Sequence, residues 1–185
     1  MAEPHLPSPA KLFTGILYSH TEDLTAARNS LEEEFGSCDL ATGPVDFSHT
    51  EYYHEMGPAL RKVLLSFEGL IRREDLPDIK LFTNGLEAGL SAGGARRVNI
   101  DPGYMTLSNV FLASCKDFYH RVYAGKGVYV ENEYRYTEGR YEFWPWTYPD
   151  YKKSEYLDFF YAVRKIYHRQ IREERIQHGL SRFTK

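Results

Sequence analysis

The 185-residue chain is short of several things, and each shortage removes a class of function. It has two cysteines, Cys38 and Cys115, with no paired metal-ligand spacing. That excludes a zinc ribbon or a disulfide framework and points to a reducing, cytoplasmic setting. No apolar run approaches the ~18 residues of a membrane span, and no charged-then-apolar leader opens the chain, so neither insertion nor secretion is expected. A net charge of −3 gives no global positive field to gather nucleic acid or anionic lipid. The Gly-x-x-x-x-Gly-Lys-Ser/Thr phosphate loop is missing: Gly125-Lys126-Gly127 has no glycine at the right distance before it and no hydroxyl after the lysine. Gly85, Gly89, Gly93 and Gly94 do not form Gly-x-Gly-x-x-Gly, and there is no His-Glu-x-x-His. The common nucleotide folds and the metalloprotease helix are thereby excluded.

Aromatic residues are abundant instead: 15 Tyr and 11 Phe beside 2 Trp, with most of the tyrosines after residue 100. A tyrosine surface is apolar and hydrogen-bonding at once, which suits a ligand wall or an interface, and equally a core with wet edges.

Hydrophobic patterning organises the chain into one domain over 11–185 after a proline-rich lead-in at 1–10. Lys11–Ser19 reads as a buried strand. Leu24, Ala27, Leu31 and Phe35 recur at helical spacing, with Thr21 as the cap and Gly36 as the stop. Val45–Tyr53 and Leu60–Ile71 read as the next two strands. A second helix starts around Asp75-Leu76-Pro77, where early proline is tolerated. Its Lys80, Thr83, Asn84 and Glu87 share a face, read as either solvated or functional. The strand Arg97–Asp101 is expected to end in a type II turn at Asp101-Pro102-Gly103-Tyr104. Strand, helix, strand, strand, helix, strand over 11–104 is the order of an α+β, ferredoxin-like βαββαβ core, an antiparallel sheet with both helices on one face. Residues 105–176 then add an appendage. It comprises a short helix from Thr106 or Ser108, a hairpin of Phe118–Tyr123 and Val128–Tyr136 about Gly125-Lys126-Gly127, a strand at Arg140–Phe143, an irregular Trp144–Tyr151 stretch and a long amphipathic helix. The basic tail, Arg169 to Lys185, is expected to fray.

Four groups of residues have the chemistry for a site. Asn99 and Asp101 lie at the end of the central strand, followed by Tyr104, where a stiff turn holds polar side chains, although Asp101 can equally bond its own turn. Lys116, Asp117, His120 and Arg121 combine cations suited to phosphate or carboxylate with an imidazole that titrates near neutrality. If 118–123 is a strand, His120 and Arg121 point to opposite faces. Glu131 and Glu133 share a strand face, and paired carboxylates split acid and base roles, hold a divalent cation or take arginine partners such as Arg121 or Arg135. Trp144, Trp146, Tyr148 and Asp150 follow, with Trp146 placed to stack a planar ligand or to plug the sheet edge. A further set, His49, Glu51, His54 and Glu55, has metal-ligating types, but strand alternation separates the two histidines. No metal is assigned.

Together these stretches resemble the domain-of-unknown-function family 4416. The residues that carry the resemblance are Lys11–Leu17, Tyr52-Tyr53-His54-Glu55-Met56-Gly57, Lys80 with Thr83-Asn84 and Glu87, and Arg97 through Tyr104. It continues in Ala113-Ser114-Cys115-Lys116-Asp117 with His120-Arg121, and in Pro145 through Tyr151. The resemblance covers nearly the whole chain and implies a prokaryotic source. Members are often labelled GTP-binding, which implies GTP among the candidate ligands, although the chain has only Cys115-Lys116-Asp117 as an echo of a guanine-binding Asn-Lys-x-Asp.

The expected function is binding of a small anionic ligand, a phosphorylated metabolite or nucleotide, in an enzyme or a binding protein. Asn99 and Asp101 would orient it, Lys116 and Arg121 would neutralise it, and His120 and Asp101 would carry any proton transfer. The alternative is a non-catalytic RNA- or protein-binding module that uses a tyrosine-rich sheet. A third reading has Trp144–Tyr151 securing an oligomer. Cofactor and oligomeric state are open.

Overall fold

A computed structural model describes residues 3–48 and 52–180, with side chains through Glu174. In chain order the elements are β1 (Ala10–Tyr18), α1 (Thr21–Phe35), β2 (Cys38–Ala41), β3 (Val45–Asp46), β4 (Arg61–Ile71), α2 (Leu76–Leu90), β5 (Val98–Met105), β6 (Asn109–Ser114), β7 (Val122–Gly125), β8 (Val128–Thr137), β9 (Arg140–Phe143) and α3 (Ser154–Leu180). The nine strands make one sheet in the order β2-β4-β1-β5-β6-β8-β7, with β3 beside β4 and β9 beside β8. Every pairing is antiparallel. The fold is α+β.

Alternation along the strands builds a core on each face of this sheet. Leu12, Ile16 and Tyr18 of β1 pack with Ala27 and Leu31 of α1 and Ile79 of α2. Phe13, one step out of phase, joins Phe159, Phe160 and Val163 of α3 on the opposite side. Its ring meets Phe160 edge-on at 4.9 Å. Each fully buried aliphatic or aromatic side chain in such a cluster contributes about 1.5–3 kcal/mol. α1 and α2 therefore cover one face and α3 the other. The stretch from 105 to 176 continues the same sheet, since β6 pairs with the end of β5, and its helix covers the face that α1 and α2 leave open.

Several local expectations give way to tertiary pairing. The helix α1 begins at Thr21 itself, and extended His20 occupies the cap position. The second strand is Cys38–Ala41, half-buried against β4, while the described residues of Val45–Tyr53 supply only the two-residue β3. Tyr53 then leads into a single 3-10 turn, His54–Met56, closed by Gly57 at φ 97°. The short helix at Thr106 or Ser108 is instead a tight turn into β6: the Thr106 amide donates to the Asn109 carbonyl, and Val110 and Leu112 alternate into the core. Phe118–Arg121 is a turn, in which the Arg121 amide donates to the Phe118 carbonyl, and the strand starts only at Val122. The hairpin about Lys126-Gly127 forms as expected, with φ 55° and 76° at the two central residues of a primed turn. α3 runs to Leu180, so the basic tail is helical that far, and 181–185 lie outside the described residues.

The largest departure is at Pro102-Gly103. β5 continues through both residues to Met105 in register with β1, Pro102 opposite Thr14 and Gly103 opposite Phe13. Proline is tolerated there because β6 pairs with β5 only from Gly103 onward, so no ladder bond is lost on that side. Gly103 serves close approach rather than a turn. A Cβ on it would lie 2.2 Å from the Phe111 carbonyl oxygen and 2.5 Å from the Phe13 ring.

Candidate functional site

The site arises where the sheet divides. β1 follows β5 from Val98 to Met105, but β6 joins it only at Gly103, Tyr104 and Met105. From Asp101 back to Val98 the second edge of β5 faces no strand. Side chains of α2 take the strand's place: the Ile100 amide donates to Glu87 Oε1 at 2.6 Å, and Lys80 Nζ donates to the Ile100 carbonyl at 3.0 Å. Lys80 and Glu87 are seven residues apart, two helical turns, so both reach the same strand position. The stripe Lys80, Thr83, Asn84, Glu87 is thus turned onto β5 rather than solvated, and Lys80 and Thr83 are buried.

A cavity of about 500 Å³ fills the split. On its β5 side, Asp101 receives Lys80 at 3.4 Å on one oxygen and the Asn99 amide at 2.8 Å on the other. On the far side, Lys62 of β4 donates to Asp150 at 2.8 Å and lies 4.5 Å from the Tyr151 ring centre. Both members of that ion pair are buried. Gly15 lies beneath them. A Cβ there would come within 2.9 Å of the Lys62 chain and 3.5 Å of the Tyr151 hydroxyl, which has no partner among the described residues.

The wall towards β8 is a buried charge network. Glu131 accepts from His120 Nε2 at 2.6 Å and pairs with Arg121 at 3.0 Å, all three side chains being almost fully buried. Arg121 also donates to Ser114 Oγ, the Lys116 carbonyl and the Tyr148 hydroxyl. The turn at 118–121 therefore aims His120 and Arg121 at one carboxylate, not at opposite faces as strand alternation predicts. Arg135, the alternative partner, pairs with Glu142.

His120 stacks on Trp146 at 5.0 Å, and Trp146 on Trp144 at 5.4 Å, all nearly parallel. Trp146 Nε1 donates to the Asn132 carbonyl, so the stack seals the edge of β8 between β7 and β9. With both ring faces covered, Trp146 offers only its edge to a ligand.

At the rim, Lys116 Nζ lies 3.9 Å from the Tyr52 ring centre, and its approach draws the Tyr52 hydroxyl below its ordinary pKa. Among the described residues no carboxylate pairs with Lys116. Arg96 also lies on the rim, held by Glu55 through Nε at 2.8 Å and Nη2 at 2.6 Å. Asn84 donates to Cys115 Sγ at 3.3 Å.

Burial dominates the proton affinities. It raises Glu87 to about 7, against the nearby Lys80, and Glu133 to about 8, with repulsion from Glu131 adding to the rise. It also lifts the Tyr148 hydroxyl to about 12 and drives Tyr53 further upward.

Of the residues singled out from sequence, Asn99, Asp101, Lys116, Glu131, Tyr148 and Asp150 line this cavity together. Tyr104, His120 and Trp146 line a second cavity of about 370 Å³, so His120 and Asp101 do not share one. Arg121 holds the wall between Glu131 and Tyr148 without lining either cavity. Asp117 is exposed beside the Tyr129 hydroxyl. His49 and Glu51 lie outside the described residues, and His54 sits 3.9 Å from Glu55. Among the described residues no three His, Cys, Asp or Glu side chains converge as metal ligands would. Lys62, Tyr53 and Tyr151 also line the first cavity, as do Lys80 and Glu87 of the helix stripe that the sequence reads as either solvated or functional. The signal for Lys80 and Glu87 was present: a polar stripe of spacing three, four and seven on a helix that also has an apolar one.

No helix of the described residues is long and apolar enough to cross a membrane. No curated protein and no solved structure matches the chain. A domain of unknown function, DUF4416, matches residues 8–167, and with that match spanning most of its length the chain belongs to the DUF4416 family.

Proposed function

We propose that the cavity in the split sheet binds a small anionic ligand, a phosphorylated metabolite or a nucleotide, with GTP among the candidates. The observation that carries this reading is Lys116 at the rim, a cation with no carboxylate partner among the described residues above a cavity of ligand size. Lys62, Lys80 and Arg121 are already matched to Asp150, Asp101 and Glu131. Lys116 is therefore the cation to receive the ligand's charge, with Arg96 beside it. Asn99 and Asp101 orient the remainder. Glu87, poised at about 7, is the group placed to exchange a proton if the ligand is turned over. The two unpaired cysteines suit a cytoplasmic protein.

The first half supports a ferredoxin-like assignment within this reading, since β2-β4-β1-β5 is the strand order of a split βαβ sheet with α1 and α2 packed together. The test is a thermal-shift screen against GTP, other nucleotides, phosphorylated metabolites and inorganic phosphate. A ligand at 100 times its Kd stabilises the fold by about 2.7 kcal/mol. Binding that disappears in Lys116→Ala supports the reading, and retention of full affinity in that variant sinks it.

A second reading, a module that contacts RNA or protein without catalysis, draws on the exposed Phe118 and Tyr119 of the turn before β7 and Val122 and Tyr123 at its start. For RNA it predicts affinity that falls steeply with salt and is lost when Tyr119 and Tyr123 become alanine.

A further inference from the structure

The hydrogen-bonding inventory of the cavity restricts what its ligand can be, given the anion-binding reading above on which this inference rests. Four carboxylates line it: Glu87, Asp101, Glu131 and Asp150. Three of them have a matching cation, Lys80 for Asp101, Arg121 for Glu131 and Lys62 for Asp150. The fourth, Glu87, takes a backbone amide, and burial moves it towards the neutral form. The interior is thus balanced in charge but not in hydrogen-bonding capacity. An ionised carboxylate offers about four lone-pair sites, and each of these groups has two or fewer strong donors on it. Lys62 Nζ, Lys80 Nζ and both Arg121 Nη groups each already donate to an acceptor of the protein. On the carboxylates themselves, acceptor sites outnumber the donors placed on them.

A ligand can supply donors as an ammonium or as hydroxyls. An ammonium would bring a positive charge into a space whose carboxylates are already neutralised, and desolvation there goes uncompensated. Hydroxyls donate without charge. The Tyr151 hydroxyl adds an independent indication: it is buried, unpartnered among the described residues, and lies over Gly15, whose register partner is Asp101. The rings of Tyr53 and Tyr148 on the lining supply apolar surface suited to the C–H faces of a sugar. We propose that the ligand is a phosphorylated polyol, a sugar phosphate or a molecule that contains one, with its hydroxyls among Asp101, Glu131 and Asp150 and its phosphate at Lys116.

The test compares four probes on the full chain by calorimetry: inorganic phosphate, ribose 5-phosphate, O-phosphoserine and GTP. Ribose 5-phosphate should bind at least tenfold more tightly than phosphate and more tightly than O-phosphoserine, which presents an ammonium. Asp101→Asn should remove most of that advantage while leaving phosphate affinity unchanged. Tyr151→Phe, which alters no charge, should lower it in the same direction, and the melting temperature of each free variant shows whether it has folded. Ribose 5-phosphate no tighter than phosphate, or O-phosphoserine tighter than both, overturns the polyol assignment and leaves anion binding standing. GTP binding without any ribose 5-phosphate advantage does the same. No binding by any of the four overturns both.

Discussion

The two ends of β5 make opposite solutions to one problem. At Gly103–Met105 the strand is flanked by β1 and β6, and the fit is so close that even a methyl group on Gly103 has no room. At Val98–Asp101 one flank is β1 and the other is a helix whose Lys80 and Glu87 bond Ile100 in place of a strand. The Ile100 peptide groups find partners at the open end as the ladder groups do at the closed one, as buried peptide groups must. A strand satisfies them with more backbone and leaves no space. Long side chains satisfy them from a distance and leave a cavity with charged walls. A sheet thus gains a site by losing a neighbour along one edge of Val98–Asp101.

Substitutions at the two ends should separate these roles. Gly103→Val should be the most damaging, about 3 kcal/mol or more, because the obstruction is a carbonyl oxygen that cannot rotate away; a urea midpoint unchanged from the parent would refute the close-packing account. At the open end, Glu87→Ala leaves the Ile100 amide unpaired and should cost about 1–3 kcal/mol, whereas Glu87→Gln keeps an acceptor and should cost less than half as much. Equal losses in the two variants would show that the charge, not the acceptor, matters.

The same carboxylates give the protein a pH dependence of known sign. An unfolded chain releases these protons near the ordinary 4.5, while the folded state holds them to about 7 at Glu87 and about 8 at Glu133. Across that window the unfolded state binds fewer protons, so stability should fall as pH rises through it. Glu133→Gln should flatten the decline more than Glu87→Gln, read as urea midpoints against pH. The smallest effects belong to the surface. Lys126→Ala removes an exposed pair with Asp78 and should change stability by less than about 0.5 kcal/mol. Lys116→Ala should be equally mild in the free protein yet lower ligand affinity at least tenfold.

Much of this plan was legible in the chain. Strands and helices with a clear period, such as Leu12, Ile16 and Tyr18 or the Tyr156–Ile171 face of α3, fall where their pattern places them. The errors share a cause. Cys38–Ala41 is a strand only because β4 offers an edge, and Pro102-Gly103 avoids a turn only because β6 leaves one side of β5 free at Pro102 and presses on Gly103 beyond it. Neither neighbour is visible locally. The site was half legible for a related reason. Asn99, Asp101 and Asp150 announce themselves as polar residues near element ends, but the cations that decide the chemistry of the two aspartates, Lys80 for Asp101 and Lys62 for Asp150, arrive from positions more than 20 residues away on other elements. For His120 and Arg121 the residue types are legible and the orientation is not, because a turn at Phe118 cannot be told from a strand of the same aromatic composition.

The parallel stack of His120, Trp146 and Trp144 has an optical consequence. Both tryptophans of the chain are in it, 5.4 Å apart, so all indole fluorescence comes from one place. The imidazole on its outer face belongs to the same network as Glu131, a wall of the cavity. Indole emission is sensitive to what is stacked on the ring. The protein therefore contains its own reporter: any ligand that draws on Glu131 alters its hydrogen bond to His120 and so the packing of the imidazole on the indole, and the tryptophan signal should register the event without a label.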